Sequence, residues 1–410
     1  MRIDSERLRL NFDRVTDISA TKTGCTRFSY SKEDMKVRSI LIEEMKSFGM
    51  EIKHDFAGNI RALYNPDHLQ SKSVLIGSHI DTVMYGGKYD GLTGVLSSIE
   101  VVRQIHNNGI KLKHPVEIVI FAEEEGSNFG VTMIGSKFIT GKIDESYLKK
   151  LHADNGMSAY DIISECGFLP FDADQPRIDS EHEMCMIELH VEQGGVLDSQ
   201  KKRIGIVQAI AGMVTLQVTV EGTSNHAGTT PMSMRRDPVA ASAMMIDKIS
   251  GVPEKLKMDA AVTTVGKINV EPNGSNVIAS KVVFNVDIRD VIEENIKEIS
   301  DFIKELCKET ATAKNVNVSI IKLGESNVVH MADRIVNTIE ESAKQMNLPY
   351  IMMNSGAVHD NAMLNGIIET GMIFVPSIKG ISHSFYEETE FEDIIEGAEL
   401  LLETVIRLAK

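Results

Sequence analysis

The chain has 410 residues, 42% of them hydrophobic and 25% charged, the balance of a folded globular protein and not of a disordered or fibrous one. Its 59 Asp and Glu outweigh 43 Lys and Arg for a net charge of −16, and so acidic a surface repels phosphate backbones and anionic lipid, leaving neither nucleic acid nor membrane as an expected partner. With no Trp, 5% aromatics and 21 Met, the core is expected to be aliphatic, with thioethers filling irregular gaps.

In chain order, Met1 to Phe12 alternates charged and apolar residues without the apolar core of a signal peptide. No later run approaches the roughly 18 apolar residues of a membrane span. Lys32 to Gly49 has helical period, with Val37, Ile40, Leu41, Met45 and Phe48 on one stripe. Val74 to Ile76 and Val116 to Phe121 read as interior strands. Between them Gly91 to Asn108 carries Leu92, Val95, Leu96, Ile99, Val102 and Ile105 at helical spacing, with Asp90 as the expected N-cap. Met186 to Leu189 is a further strand. This alternation argues for an α/β layer structure.

The pattern changes near residue 210. Val214, Leu216, Val218 and Val220 alternate with polar residues, as in a half-exposed strand. A helix opens at Asp237-Pro238 as N-cap and first turn. Strands at Val262 to Val270 and Val282 to Ile288, a helix at Glu294 to Thr312 and a strand at Val316 to Ile321 complete a β-α-β-β-α-β unit. From Ala332 the chain returns to helix, strand (Gly371 to Pro376) and helix. The expected organisation is an α/β domain over 1–210 and 327–410, interrupted by a ferredoxin-like α+β domain over 211–326. The four cysteines, Cys25, Cys166, Cys185 and Cys307, are scattered without a C-x-x-C pair, which points to free thiols in a reducing compartment, the cytoplasm by default. None sits in a motif that would activate a catalytic thiol.

Ligand-type residues gather where strands end: His79 and Asp81 after the first interior strand, Asp90 soon afterwards, Glu123-Glu124-Glu125 after Phe121, His190 after Leu189, and His383 after the strand ending at Pro376. In open α/β sheets the carboxyl ends of strands form the site. Singly, each has a plainer reading: a helix cap for Asp90, a solvated acidic turn for the three Glu, a satisfied polar residue for each His. Together they differ, because three acids just after a buried strand repel one another unless a cation lies there. Imidazole with carboxylate suits zinc, manganese or cobalt.

The segments Gly77-Ser78-His79-Ile80-Asp81, Asp90-Gly91, Glu124-Glu125-Gly126, Glu188 to Gly194 and Ser382-His383-Ser384 resemble those of the two-metal amidohydrolases related to aminoacylases and di-zinc carboxypeptidases. The likeness is strongest to the branch that hydrolyses ureido compounds, and it includes the Ser224 to Met232 loop of the interrupting domain. It implies a zinc-peptidase-like catalytic domain with an inserted dimerisation domain, hence a homodimer. Asp90 would bridge two divalent metals, His79 and His190 would complete one site, and Glu125 and His383 the other. Glu124 would be the general base for the attacking water. Asp81 is suited to orient His79 with its carboxylate.

The same resemblance makes His226 the oxyanion donor, reaching the partner subunit's site, and Asn276 and Arg289 the fork for a substrate α-carboxylate. Read without it, His226 is a surface histidine, Arg289 a strand-end charge and Asn276 a turn former. Gln193 and the Ser355-Gly356 turn are further candidates for contacts to the ureido group. His359-Asp360 reads equally as a support for the metals or as a buried structural pair. The expected reaction is removal of the carbamoyl group from an N-carbamoyl-L-amino acid. Allantoate amidohydrolase is the nearest alternative; Met213 stands where those enzymes tend to place a polar residue. β-Ureidopropionase, a di-zinc peptidase and a non-catalytic scaffold follow. His190 disfavours the peptidase, and the presence of every ligand and of Glu124 disfavours the scaffold.

Overall fold

The computed structural model describes residues 2–168 and 177–410. The strands in chain order are β1 (Glu51–His54), β2 (Ile60–Tyr64), β3 (Ser73–His79), β4 (Val116–Phe121), β5 (Glu183–Val191), β6 (Ile204–Ile210), β7 (Gly212–Glu221) and β8 (Asn225–His226). They continue with β9 (Val262–Glu271), β10 (Val277–Ile278), β11 (Lys281–Asp290), β12 (Asn317–Ser326), β13 (Val329–His330), β14 (Tyr350–Ser355) and β15 (Glu369–Val375). Two compact units result, one running to Gln208 and resuming over His330–Lys410, the other spanning Ala209–Val329.

The first unit is built on a nine-stranded mixed sheet in the order β1-β2-β4-β3-β5-β15-β6-β13, with β14 on β6. Its centre is parallel: β3 pairs with β4 and β5, and β5 with β15. Every residue of β3 and β4 is buried, as expected of near-continuous apolar runs covered on both faces. The helix Asp90–Asn107 packs on β3 and β5, and the helix Phe391–Ala409 packs on that helix and on β15. The predicted stripe of Asp90–Asn107 is buried, together with Gly94, Ser97, Ser98 and Val101, because this helix is covered on almost all sides. Parallel register aligns His79 with Phe121 and His190 with Phe374, so the carboxyl ends of the central strands reach one edge together.

The second unit is the β-α-β-β-α-β arrangement read from the sequence. Its four-stranded antiparallel sheet has the order β12-β7-β11-β9. Leu216, Val218 and Val220 of β7 and Val282, Phe284, Val286 and Ile288 of β11 form one core with Met245 and Ile249 of helix Pro238–Ser250 and Ile299 and Ile303 of helix Glu293–Ala313. Asp237 caps the first of these helices, its carboxylate accepting from the amides of Val239 and Ala240, with Pro238 opening the helix. A short ribbon of β8 with β10, which lacks the length to announce itself in sequence, is added to this plan.

Candidate metal centre

His79 is the last residue of β3, and His190 lies one residue before the end of β5, inside a strand longer than its apolar run suggested. Both rings are buried and tilted toward each other, centroids 5.7 Å apart. Backbone carbonyls, which only accept, fix the tautomers: His79 Nδ1 donates to Asp81 O at 3.1 Å, and His190 Nδ1 donates to Val191 O at 2.9 Å. Both rings thereby turn Nε2 toward the acids; against its burial, the carboxylates of Glu124, Asp81 and Asp90 raise the pKa of His79 to about 10, a proton that a cation bound there would displace. Burial holds His190 neutral, lowering its pKa to about 4 against the pull of Asp90.

Asp90 is not the N-cap expected of it. Tyr89 occupies that position without a side-chain capping bond, and Asp90 is the first helical residue, with φ at +29°. This strained backbone sends the carboxylate away from the helix terminus and among the histidines. Asp90 Oδ1 lies 3.4 Å from His190 Nε2, and Oδ2 lies 3.8 Å from His383 Nε2. Gly91 allows the approach of His79, since a Cβ there would stand 2.3 Å from the ring. His383, also at positive φ (+53°), lies 3.4 Å from Glu125 Oε2. Glu387 ties these parts together, accepting from Asp90 N (3.2 Å), Ser382 Oγ (2.8 Å) and His383 N (3.2 Å). Nothing in the sequence around Glu387 marks it for this role, because its partner Asp90 lies 297 residues away.

The three consecutive acids have three different environments. Glu123, at φ +54°, staples its own loop by accepting from Asn128 N (2.8 Å) and Asn128 Nδ2 (2.7 Å). Glu124 Oε2 faces His79 Nε2 at 3.8 Å, and burial pushes its carboxyl well above the usual range. Glu125 is driven up to about 12, by burial and then by repulsion from Asp90 and Glu124. Asp81 meets His79 through its main-chain oxygen; its carboxylate is 3.7 Å from that ring and instead accepts from the amides of Glu124 (3.3 Å) and Glu125 (3.1 Å). Asp81 thus holds the acidic turn in register with the end of β3.

Gln193, at φ +59°, reaches into the ligand groups, with Nε2 3.0 Å from Asp90 Oδ1 and 3.1 Å from His383 Nε2. Gly356 follows β14, and a Cβ there would meet nothing within 4 Å, so packing does not demand glycine. His359 packs edge-on against His190 with centroids 4.6 Å apart, its Nε2 3.1 Å from Ser355 Oγ, and Asp360 beside it is fully buried. In the second unit, the ribbon brings His226 and Asn276 together, Ala227 N donating to Asn276 O at 3.0 Å. His226 Nδ1 accepts from Gly228 N (2.9 Å) and Thr229 N (3.3 Å), which places the ring proton on Nε2 and makes that exposed atom a donor. Arg235 braces the same loop by donating to Ala227 O (2.6 Å) and Thr230 O (3.1 Å). Arg289, on β11, donates through Nε to Asp287 Oδ1 at 2.8 Å.

Two ligand groups emerge: His79, Asp90 and His190, and Asp90, Glu125 and His383, each offering atoms that lie within 4.8 Å of one another. His190 Nε2 and Glu125 Oε1 are buried without a hydrogen-bond partner, a costly condition that a cation relieves. The donors therefore fit divalent metal ions. A third grouping, Glu188, His190 and His359, draws on the same His190 nitrogen and has one Glu188 oxygen committed to Ser78 Oγ at 2.7 Å. Among the described residues, no helix is long and apolar enough to cross a membrane.

Residues 75–407 match the family described as peptidase family M20/M25/M40. The chain is 36% identical to an N-carbamoyl-L-amino-acid amidohydrolase of Pseudomonas sp. (strain NS671), over 99% of its own length and 98% of the relative's. It is 35% identical to an allantoate amidohydrolase of Escherichia coli (strain K12), over 94% and 93% respectively. The crystal structure of an amidase of the hydantoinase/carbamoylase family from Burkholderia multivorans superposes with a TM-score of 0.94 at 28% identity, covering 100% of this chain and 98% of that one. With the family match running over residues 75–407 and the ligand-type residues at the carboxyl edge of the mixed sheet, this chain belongs to peptidase family M20/M25/M40.

Proposed function

We propose that the chain is a metal-dependent hydrolase that cleaves the ureido C–N bond of an N-carbamoyl-L-amino acid, releasing the amino acid, ammonia and carbon dioxide. The observation that carries this reading is two ligand groups meeting on one carboxylate, Asp90, with Glu124 beside them. His79, Asp90 and His190 would hold one divalent ion, and Asp90, Glu125 and His383 a second. Zinc, manganese and cobalt all suit such donors. Bound there, they supply the Lewis acidity that polarises a carbonyl and acidifies water. Glu124 takes the proton of the attacking water and delivers it to the leaving nitrogen. Asp81 fixes the backbone from which Glu124 and Glu125 project.

His226 offers its Nε2–H to the developing oxyanion in the partner subunit's site, and Asn276 with Arg289 binds the α-carboxylate, for which guanidinium geometry is suited. Gln193 and Gly356 contact the ureido group. A homodimer through the second unit is supported by its edge strands: β9 exposes Val262 and Ile268, and β12 exposes Ile321 and Leu323. The free cysteines fit a reducing compartment such as the cytoplasm.

Allantoate hydrolysis is the second reading, supported by a relative with nearly the same identity. Met213, on β7 opposite Arg289, favours the carbamoyl substrate because a thioether offers a second ureido group no strong hydrogen bond. An ammonia-release assay on metal-loaded protein decides between them. It compares N-carbamoyl-L-amino acids, β-ureidopropionate and allantoate, with an N-acetyl amino acid and a dipeptide as controls. The highest kcat/KM is expected for a carbamoyl amino acid; a higher value for allantoate or for the dipeptide would overturn the assignment.

A further inference from the structure

We propose that Met84, Tyr85, Phe385 and Tyr386 form an apolar rim of the metal centre that selects substrates carrying a large apolar side chain. The inference rests on the carbamoylase reading and adds to it which amino acids are accepted. The four side chains are 57%, 50%, 46% and 65% exposed, so the fold does not need them for its core. Their placement is specific. Met84 and Tyr85 lie on the loop between His79 and Asp90, and Phe385 and Tyr386 follow directly on His383-Ser384. The loop between His79 and Asp90 and the loop that carries His383 therefore each hold two consecutive exposed hydrophobic residues.

The two pairs are also neighbours in space. Gly24, at φ +67°, lies between the loops: a Cβ there would stand 2.9 Å from Phe385 Cβ and 3.0 Å from the Tyr85 carbonyl carbon. The rim is held in place from behind. Cys25 N donates to Gly86 O at 2.8 Å, Tyr85 N donates to Thr26 Oγ1 at 2.8 Å, and Glu387 N donates to Ser384 O at 2.9 Å. The Phe385 and Tyr386 rings touch each other, tilted by 37° with centroids 3.9 Å apart. Exposed apolar residues that are contiguous and fixed mark a binding surface, and prior fixation lowers the entropy cost of binding. The occupant that continuity with the metal centre favours is the substrate's own side chain. Allantoate and β-ureidopropionate carry no such group and gain nothing from the rim.

The test measures kcat/KM of the metal-loaded enzyme for N-carbamoyl-L-methionine, N-carbamoyl-L-phenylalanine and N-carbamoylglycine. One methylene in a closed hydrophobic pocket is worth roughly 10- to 200-fold, and for a half-exposed rim facing a whole side chain a Met-to-Gly ratio of at least about 10 is expected. In the double variant Phe385→Ser with Tyr386→Ser the ratio should fall toward one, while Phe385→Leu should retain most of it. Sedimentation velocity of the same variants checks the competing use of this surface as a protein contact. Equal rates for the three substrates, or an unchanged ratio in the double variant with or without a change in oligomeric state, would overturn the rim's role alone. Absence of ammonia release from every ureido substrate would overturn the carbamoylase reading, and this inference with it.

Discussion

Replacing Gly91 with Ala separates the stability of this fold from the geometry of its metal centre. Gly91 is the second residue of helix Asp90–Asn107, where alanine is ordinarily favoured by about 1 kcal/mol. Here the new Cβ would stand 2.3 Å from Cδ2 and Nε2 of His79. Carbon contacts settle near about 3.5 Å, so the ring must retreat by roughly 1 Å. It cannot do so freely, being 2% exposed and tethered through Nδ1 to Asp81 O. Overpacking of this kind costs about 1–3 kcal/mol, which the helix preference partly offsets, so the melting temperature should fall by only a few degrees. Ligand placement is far less tolerant: a displacement of about 1 Å exceeds the roughly 0.5 Å within which a site works, and a loss of about 100-fold in kcat/KM is expected. Elemental analysis after dialysis against a weak chelator should show less metal per subunit than in wild type. Gly266→Ala is the control, since a Cβ there meets nothing within 4 Å. Wild-type turnover and metal content in Gly91→Ala would refute the placement of His79 as a ligand.

Glu124→Gln should keep its metal and lose turnover by at least about 100-fold, measured by elemental analysis beside ammonia release. Mixed with an inactive His226→Ala protein, it should regain activity in hybrid dimers; no recovery would exclude a role for His226 across the subunit boundary. Glu387→Ala should lower metal affinity without touching a ligand, because it frees Asp90 N, Ser382 and His383 N at once; isothermal titration with zinc reads the change. Asp34→Ala removes one side of a pair with Arg38 whose two side chains are 0% and 2% exposed, and chemical denaturation should show a loss of about 3–5 kcal/mol. Asp55 gives a pH signature. Burial raises its carboxyl from an ordinary 3.8 to about 6, so its stabilising contribution is complete below 3.8 and is lost as pH rises through about 6. Linkage gives a decline of about 1–1.5 kcal/mol between pH 5 and 8, visible as a narrowing stability gap between wild type and Asp55→Asn.

Much of the fold is legible in the sequence because its signals are long and redundant. The buried runs at β3 and β4, the stripe from Leu92 to Ile105 and the alternation along β7 each repeat one message over many residues. The ligand-type residues are legible for a different reason: strand ends in an open α/β sheet converge, so His79, His190 and the acids after Phe121 had one place to meet. What stays hidden depends on backbone angles and distant partners. Asp90 looks like a helix cap until its positive φ turns the carboxylate inward. Glu123, Glu124 and Glu125 are chemically alike in sequence, and only the turn of the chain separates a loop staple from residues facing His79 and His383. Glu387 could not be found locally, since it lies 297 residues from the Asp90 amide it accepts from. The tautomer of His226 depends on two amides that follow it in the loop, a matter of loop conformation and not of composition.

The groups meeting on Asp90 are proposed to form a metal-dependent centre for ureido hydrolysis. The most direct test is ammonia release from N-carbamoyl-L-methionine by protein stripped with chelator and then titrated with zinc, manganese or cobalt. Activity absent from the stripped protein should return with added metal, rising to a plateau near two ions per subunit, with one ammonia released for each methionine. Ammonia release that survives complete removal of metal, or that never appears at any metal loading, would contradict it.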